Sequence, residues 1–494
     1  MSTQHQKVRV RIAPSPTGYL HLGTARTAVY NYLYAKHNHG RFVFRLEDTD
    51  EERSNDAYTQ DIIKYLKWLG INWDEGPDIG GSYGPYRQTQ KEEHYRKLAN
   101  ELVASKKAYF CYATQDELAK LKEDQQNSGL PSRYDNRGRF VSEKQAQEYE
   151  AEGRIPCIRL IVEEPRVVSW NDLIKGPISI NTQDLGGDPV LVKSSGMAVY
   201  NFAVVVDDLD MEITDVIRGE DHIHNTAKQI LIYEALGKEC PRFAHAALIF
   251  DAEKQKLSKR KHGEFVHISK YEKDGYLPQA LFNYLTQMSF TMSNGQEIFT
   301  QEEAIEAFDL AKVSKSPAIF DLTKLNWFNN HYLRALPAND FENLAKPYLK
   351  DLSLDKYEGP KINQMLNLIK DGLNNLSEIK EQLTYFEPKP IDLNQSEIRP
   401  ILDTDSARKI LRLMLENVDK FKNLDSPAAK ALIDEIGLSN GFKKNKELYM
   451  PIRVALTGRL HGPDLSKIIN ILSGSGLIQE RLENALNLTL QIKS

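Results

Sequence analysis

The chain has 494 residues, of which 41% are hydrophobic and 27% charged, with a formal net charge of −5; this is the make-up of an ordinary globular protein long enough for several separate cores. No apolar run approaches the ~20 residues a membrane-spanning helix needs, and the opening MSTQHQKVRVR lacks the apolar stretch of a secretory signal. The mild acidity gives no hint of nucleic acid, although a local basic face can bind a phosphate backbone while the rest stays acidic.

Val8, Val10 and Ile12 alternate with Lys7, Arg9 and Arg11, the period of a strand. Behind them stands APSPTGYLHLGTART, residues 13–27, and then Ala25, Ala28, Val29, Tyr32 and Leu33 fall on one helical face, with Gly40 placed to stop the helix. A strand, a stiff turn and a helix N-terminus form the local geometry that binds phosphate in open α/β sheets. Gly23 permits close backbone approach, and His21 can donate to a phosphate or its leaving oxygen. A plain turn with a solvent-facing histidine fits the same residues.

RFVFRLEDTD reads as a second strand ending in acids. SNDAYTQDIIKYLKWLG follows as a helix with Ser54 or Asn55 as N-cap and Gly70 as its stop. This alternation predicts a parallel α/β sheet. DEGPDIGGSYGPYRQTQ is a turn-rich loop into another helix. From about residue 96 to 199 a polar helical run, TQDELAKLKEDQQ, precedes short strands such as CIRLIV and PISI, the pattern of an inserted α+β fold. The α/β character resumes with VYNFAVVVDDLD, the strand-like ITDVIR and the helix HNTAKQILIYEALG. After FAHAALIF comes a basic loop, EKQKLSKRKHGEF, whose Lys256 and Lys259 are suited to neutralise charge on a triphosphate attacked at its α-phosphorus, or simply form a solvated basic loop.

The remainder reads as helical: Ile410, Leu411, Met414, Leu415, Val418 and Phe421 trace one face, and Ile468, Ile469, Ile471 and Leu472 lie in another helix. Cys111, Cys157 and Cys240 are odd in number and widely spaced, which predicts free thiols and a reducing, cytoplasmic setting.

HLGT near the N-terminus and KLSKR some 235 residues later form two halves of one ATP site. With them the sequence resembles the class I aminoacyl-tRNA synthetases. RIAPSPTGYLHLGTARTA, RFVFRLEDTD, DEGP, GPYRQ, VVDD, TDVIRGED, KLSKR and PIRVALTGRL narrow the resemblance to the bacterial glutamyl-tRNA synthetases, from about Arg9 to the end of the chain. The resemblance implies an α/β Rossmann-type catalytic core in two pieces (1–95 and 200–253), an acceptor-arm-binding insertion (96–199), a KLSKR loop and stem-contact domain (254–330) and an all-α anticodon-binding region (331–494), with a subdomain break near 400. His21, Gly23, Lys256 and Lys259 are then the expected catalytic residues, with His21, Gly23, Thr24 and Lys259 on ATP. The family motif ends in a second histidine where this chain has Thr24, so His21 and the backbone must do more of the positioning.

Glutamate carries two carboxylates and an ammonium, each of which needs a partner when buried. By resemblance Arg11, Ser15, Glu47, Tyr200 and Arg218 line its pocket. Arg218 is the informative member, since a cation facing the side-chain carboxylate favours glutamate over a neutral amide; glutaminyl-tRNA synthetase, the runner-up within the class, lacks an arginine at the matching place. The implied reaction uses ATP with Mg2+, forms glutamyl-adenylate and charges tRNA(Glu), tRNA(Gln) remaining open as a second acceptor; a monomer is implied. Some relatives bind zinc in the insertion, but Cys111-Tyr112-Ala113 and RYDNRGR, with Gly138 in place of a cysteine, predict none here. Lys443, Lys444, Lys446, Arg453 and Arg459 are candidate contacts to tRNA phosphates. A catalytically dead tRNA-binding paralogue and a nucleotidylyltransferase without an RNA partner stand as the alternatives from other classes.

Overall fold

In the computed structural model, which describes residues 7–50 and 52–490, the opening strand β1 (Arg9–Ile12) is buried along its whole length, arginines included. The alternation that marks it as a strand therefore does not mark an exposed edge. A parallel sheet is covered on both faces, and the two arginines enter it already paired: Arg9 with Glu75 at 2.8 Å and Arg11 with Asp208 at 3.1 Å.

Helix α1 (Leu22–His37) packs Ala25, Ala28, Val29 and Leu33 inward, with Tyr32 half-buried. It closes at Asn38 rather than at Gly40. Gly40 is required for another reason: a Cβ there would strike the Val8 carbonyl, where the chain turns back into β2 (Arg41–Phe44). β2 runs parallel to β1 in the register Arg9↔Arg41 to Ile12↔Phe44. Helix α2 (Asp56–Trp68) takes Asn55 as its N-cap, the side chain accepting the Ala57 N–H, and stops at Gly70 with φ +78°.

Helix α3 (Glu92–Ala104) leads into the insertion. Here β3 (Ala108–Cys111) and, beyond helices α4 (Gln115–Asn127) and α5 (Glu143–Ala151), β4 (Cys157–Leu160) pair antiparallel. The hairpin of β5 (Val167–Asp172) and β6 (Gly176–Asn181) follows, and β7 (Val190–Val192) completes the three-stranded sheet beside β4. Thr114 with Glu117 and Ser142 with Gln145 form capping boxes at the starts of α4 and α5.

The segment with three successive valines, VYNFAVVVDDLD, folds as helix α6 (Tyr200–Asp210) and buries every residue from Phe202 to Asp208. Packing on all sides overrides the strand propensity of its valines. Strand β8 (Asp215–Gly219), helix α7 (Ile223–Ala235) and strand β9 (Arg242–Ala246) complete the core, β8 and β9 running parallel. Thr214 ties β8 to β1, its N–H donating to the Arg9 carbonyl at 2.9 Å while its hydroxyl accepts the Arg9 N–H at 2.8 Å. The short helix α8 (Lys259–His262) begins within KLSKR.

Among the described residues, those up to Glu272, with Pro278–Leu325, form one compact unit; Lys273–Leu277, with those from Asn326 onward, form another. The second unit is helical. Its helix Asp405–Glu416 buries Ile410, Leu411 and Met414 and half-buries Leu415, while Val418 and Phe421 sit on the 3-10 turn that follows. Its helix Leu465–Leu472 buries Ile468, Ile469, Ile471 and Leu472. Among the described residues no helix is long and apolar enough to cross a membrane.

Candidate active site

A cavity of about 530 Å³ opens at the C-terminal ends of β1 and β8, where parallel sheets bind ligands. Its wall brings together Arg11, Ser15, His21, Gly23, Thr24, Glu47, Tyr200, Arg218, Lys256 and Lys259, residues that span 249 positions of sequence.

At one end lies the start of α1. His21 is its N-cap, and its Nδ1 accepts the N–H groups of Gly23 at 3.1 Å and Thr24 at 3.4 Å. That places the ring proton on Nε2, which donates to the Thr24 hydroxyl at 3.1 Å. Burial, and then the Lys259 ammonium, push the His21 imidazole down to about 4, so the ring is neutral and a donor through Nε2 at physiological pH. Thr24, standing where the family motif has a second histidine, thus serves as the partner that orients the first.

Lys259 reaches across the cavity mouth to Gly18 of the turn, where a Cβ would collide with its ammonium. A side chain at that position would therefore displace the Lys259 ammonium from the turn, which the place of Gly18 in PSPTG alone does not reveal. Burial lowers the Lys259 pKa. Lys256 is exposed and pairs with Asp221 at 3.1 Å.

The other end is built from charges in balance. Arg11 donates from Nε and Nη2 to the two oxygens of Asp208, at 3.1 and 3.4 Å. Arg45 lies behind, fully buried, donating to Asp208 at 2.7 Å and to Glu47 at 3.2 Å. Burial raises the Glu47 pKa despite Arg45 and Arg11, the condition of a carboxylate that gains from a further cation. Tyr200, the first residue of α6, sets its hydroxyl 3.0 Å from His222 Nδ1, and burial raises its pKa to about 12. Arg218 is buried on β8, and its Nη2 donates to Thr226 at 2.6 Å and Gln229 at 2.7 Å. Its Nη1 is buried and has no partner. A buried guanidinium nitrogen left unpaired on the wall of a cavity is a site waiting for an anion.

Residues 7–327 match the family model for the catalytic domain of class I tRNA synthetases (E and Q), and residues 340–486 match an anticodon binding domain. A glutamate–tRNA ligase of Natranaerobius thermophilus is 42% identical over 99% of both chains, and that of Bacillus subtilis is 41% identical over 97% of this chain and 99% of its own. The solved structure of a glutamate tRNA ligase from Elizabethkingia meningosepticum, in complex with its amino acid, superposes with a TM-score of 0.87 at 31% identity, covering 98% of this chain and 99% of that one. The chain belongs to the class I glutamate–tRNA ligases. The cavity described above thus sits in the catalytic domain of an ATP-dependent synthetase of this family, which carries its anticodon domain on the C-terminal side.

In this ligase the sequence reading missed residues that hold the others. Asp208 belongs to VVDD, and its signal was a pair of acids directly after a valine run, where burial demands partners. Gly18 carried no signal beyond membership of a motif, and His222, one residue past TDVIRGED, carried none. In the helical unit Lys443, Lys444 and Lys446 are exposed, with Lys444 also paired to Asp434 at 2.7 Å. Arg453 instead donates to the Pro463 carbonyl at 2.9 Å, and Arg459 to Gln382 at 3.2 Å and the Glu381 carbonyl at 2.7 Å. Arg453 thus ties the turn at Pro463, and Arg459 is tied to the helix Glu378–Leu383. In the insertion Cys111 is buried with its thiol 3.2 Å from the Tyr134 hydroxyl, and Cys157 is its register partner across the β3–β4 pair. The cysteines are far apart in sequence but two of them are neighbours in space. Among the described residues no group of three or more His, Cys, Asp or Glu side chains is arranged to hold a metal ion.

Proposed function

We propose that the cavity holds ATP at the α1 end and L-glutamate at the β8 end, and that the reaction runs in two steps. The observation that carries this reading is Arg218 Nη1, a buried donor without a partner, on the same wall as Glu47, a carboxylate whose pKa burial raises. A carboxylate at the first and an ammonium at the second relieve both, which is the charge pattern of glutamate and one that a neutral amide side chain meets less well. Ser15, Arg11 and Tyr200 complete the glutamate pocket.

A glutamate α-carboxylate oxygen attacks the α-phosphorus of ATP. The bond to the bridging oxygen breaks and pyrophosphate leaves, with Mg2+ entering on the nucleotide. His21 Nε2–H, the Thr24 hydroxyl and Lys259, supported by Lys256, stabilise charge on the phosphates, while Gly23 lets them approach the backbone closely. The terminal ribose hydroxyl of tRNA(Glu) then attacks the activated carbonyl and AMP departs. No side chain forms a covalent bond, so catalysis is positioning and charge stabilisation. The insertion holds the acceptor end and the helical unit reads the anticodon, with Lys443, Lys444 and Lys446 on phosphates. Arg453 and Arg459 shape the surface that presents them. The enzyme acts as a cytoplasmic monomer without zinc.

Charging of purified tRNA(Glu) and tRNA(Gln) with labelled glutamate, each alone, tests the reading. Charging of the first only means a discriminating enzyme, and charging of both means a relaxed one. Folded protein that charges neither overturns it.

A further inference from the structure

Arg218 has five N–H groups, and three of them are spoken for. Two lie on Nη2, facing Thr226 and Gln229, and the third is Nε–H, which donates to His245 Nε2 at 3.3 Å. His245 is the register partner of Arg218 across the parallel β8–β9 pair, and no part of it is exposed. Its other nitrogen, Nδ1, lies 2.5 Å from Asp172 Oδ2. Asp172 comes from the end of β5, in the insertion, and is itself buried; its Oδ1 accepts the N–H groups of Ile174 at 3.0 Å, Lys175 at 2.9 Å and His245 at 3.1 Å.

We propose that Asp172 and His245 form a positioning pair that fixes the tautomer of His245, and through it the orientation of the Arg218 guanidinium toward the side-chain carboxylate of glutamate. The inference rests on the glutamate-pocket reading above. A carboxylate at Nδ1 keeps the proton there and leaves Nε2 as an acceptor. An acceptor is what Arg218 Nε–H needs. With the opposite tautomer an N–H would face a guanidinium, and two donors would be opposed between two buried side chains. The Thr226 hydroxyl, 2.9 Å from the same Nε2 and 2.6 Å from Arg218 Nη2, spans the two side chains. With Nε and Nη2 anchored in this way, the two N–H groups of Nη1 are the ones left for substrate. The pair therefore acts through Arg218 and touches no reacting atom.

Asp172→Asn is the discriminating variant. It is isosteric and keeps an oxygen for the three backbone N–H groups. Its amide donates to His245 Nδ1, however, and so drives the proton to Nε2. The KM for glutamate and for ATP, the preference for glutamate over glutamine in kcat/KM and the thermal midpoint are measured for wild type, Asp172→Asn, His245→Gln and Arg218→Gln. The expected result for Asp172→Asn is a glutamate KM raised about tenfold or more and a glutamate preference narrowed by about as much, with the ATP KM within about twofold. His245→Gln shifts the same two quantities. If Asp172→Asn and His245→Gln leave the glutamate KM unchanged, or raise both KM values together as the midpoint falls, the pair is only structural and the inference fails. If Asp172→Asn does not fold, His245→Gln decides on the same criteria. If Arg218→Gln itself leaves the glutamate KM untouched, it is the pocket reading that fails.

Discussion

His21 does two jobs that one substitution can separate. Its Nδ1 caps α1 by accepting from Gly23 and Thr24, and its Nε2–H is free to turn from the Thr24 hydroxyl to a phosphate oxygen. Asparagine is among the best N-cap residues, and its side-chain oxygen can take over the first job, but it does not carry a donor to the imidazole Nε2 position. His21→Asn should therefore leave the thermal midpoint nearly unchanged and slow adenylate formation by about 10²–10³, the usual cost of one lost donor to developing charge. His21→Ala loses the cap as well, and with it about 1 kcal/mol of stability. Pyrophosphate exchange alongside a melting curve checks both; equal melting losses in the two variants would mean that the cap does not depend on the side-chain acceptor.

Elements meet in this core through buried charge. Asp208 of α6 receives Arg11 of β1 and Arg45 just beyond β2, and its neighbour Asp207 receives Lys91 at 2.7 Å and Gln88 at 2.8 Å from the turn before α3. Burial pushes the Asp208 carboxyl up, but Arg11 and Arg45 more than offset it and hold it below the usual carboxylate value. Its contribution is present above a pH of about 4 and is lost as pH falls through the lower folded value. Asp208→Asn removes the charge and leaves two arginines facing an amide; breaking a buried pair in this way costs about 3–5 kcal/mol. The expected variant melts markedly lower and binds glutamate more weakly, because Arg11 and, through Arg45, Glu47 lose their anchor. Urea unfolding and glutamate KM measure the two effects. This network also shows the limit of the sequence pattern. The parallel α/β alternation, the Asn55 cap and the Gly70 stop are local and were legible, since each depends on residues a few positions apart. The helical state of VYNFAVVVDDLD was not, because it depends on what surrounds those valines.

At the scale of the whole molecule, the two halves of the cavity were legible because HLGT and KLSKR each carry local chemistry, and the glutamate residues because motifs around them matched a family. The geometry that ties them was not: Asp172 and His245 are 73 positions apart, and nothing in either neighbourhood announces the other. One further property belongs to the catalytic unit as a whole. Four of its histidines are held neutral, His21 and His222 pushed down to about 4 and His245 and His267 lowered, in each case chiefly by burial. In the unfolded chain the same rings take up protons near 6.5. Between those values the unfolded state binds more protons than the folded one, so stability is greatest above about pH 6.5 and declines as pH falls toward 4. For a ring lowered from 6.5 to about 4 the loss by pH 5 is about 2 kcal/mol. Glu47 and Asp61, raised by burial, work in the opposite sense, since the folded state protonates them first. Carboxylates held low, such as Asp172 and Asp208, do not enter until the pH nears 4. The histidines therefore set the slope near pH 6, and urea midpoints of the catalytic unit should fall between pH 7 and pH 5. Tryptophan emission reports on it, because Trp68, Trp73 and Trp170 lie in that unit and only Trp327 lies outside it. His21→Asn, which removes one of the four rings but keeps the cap, should shrink the fall by about 2 kcal/mol. Equal midpoints at the two pH values would mean that these rings are not held neutral in the folded protein, and that His21 meets ATP as a cation.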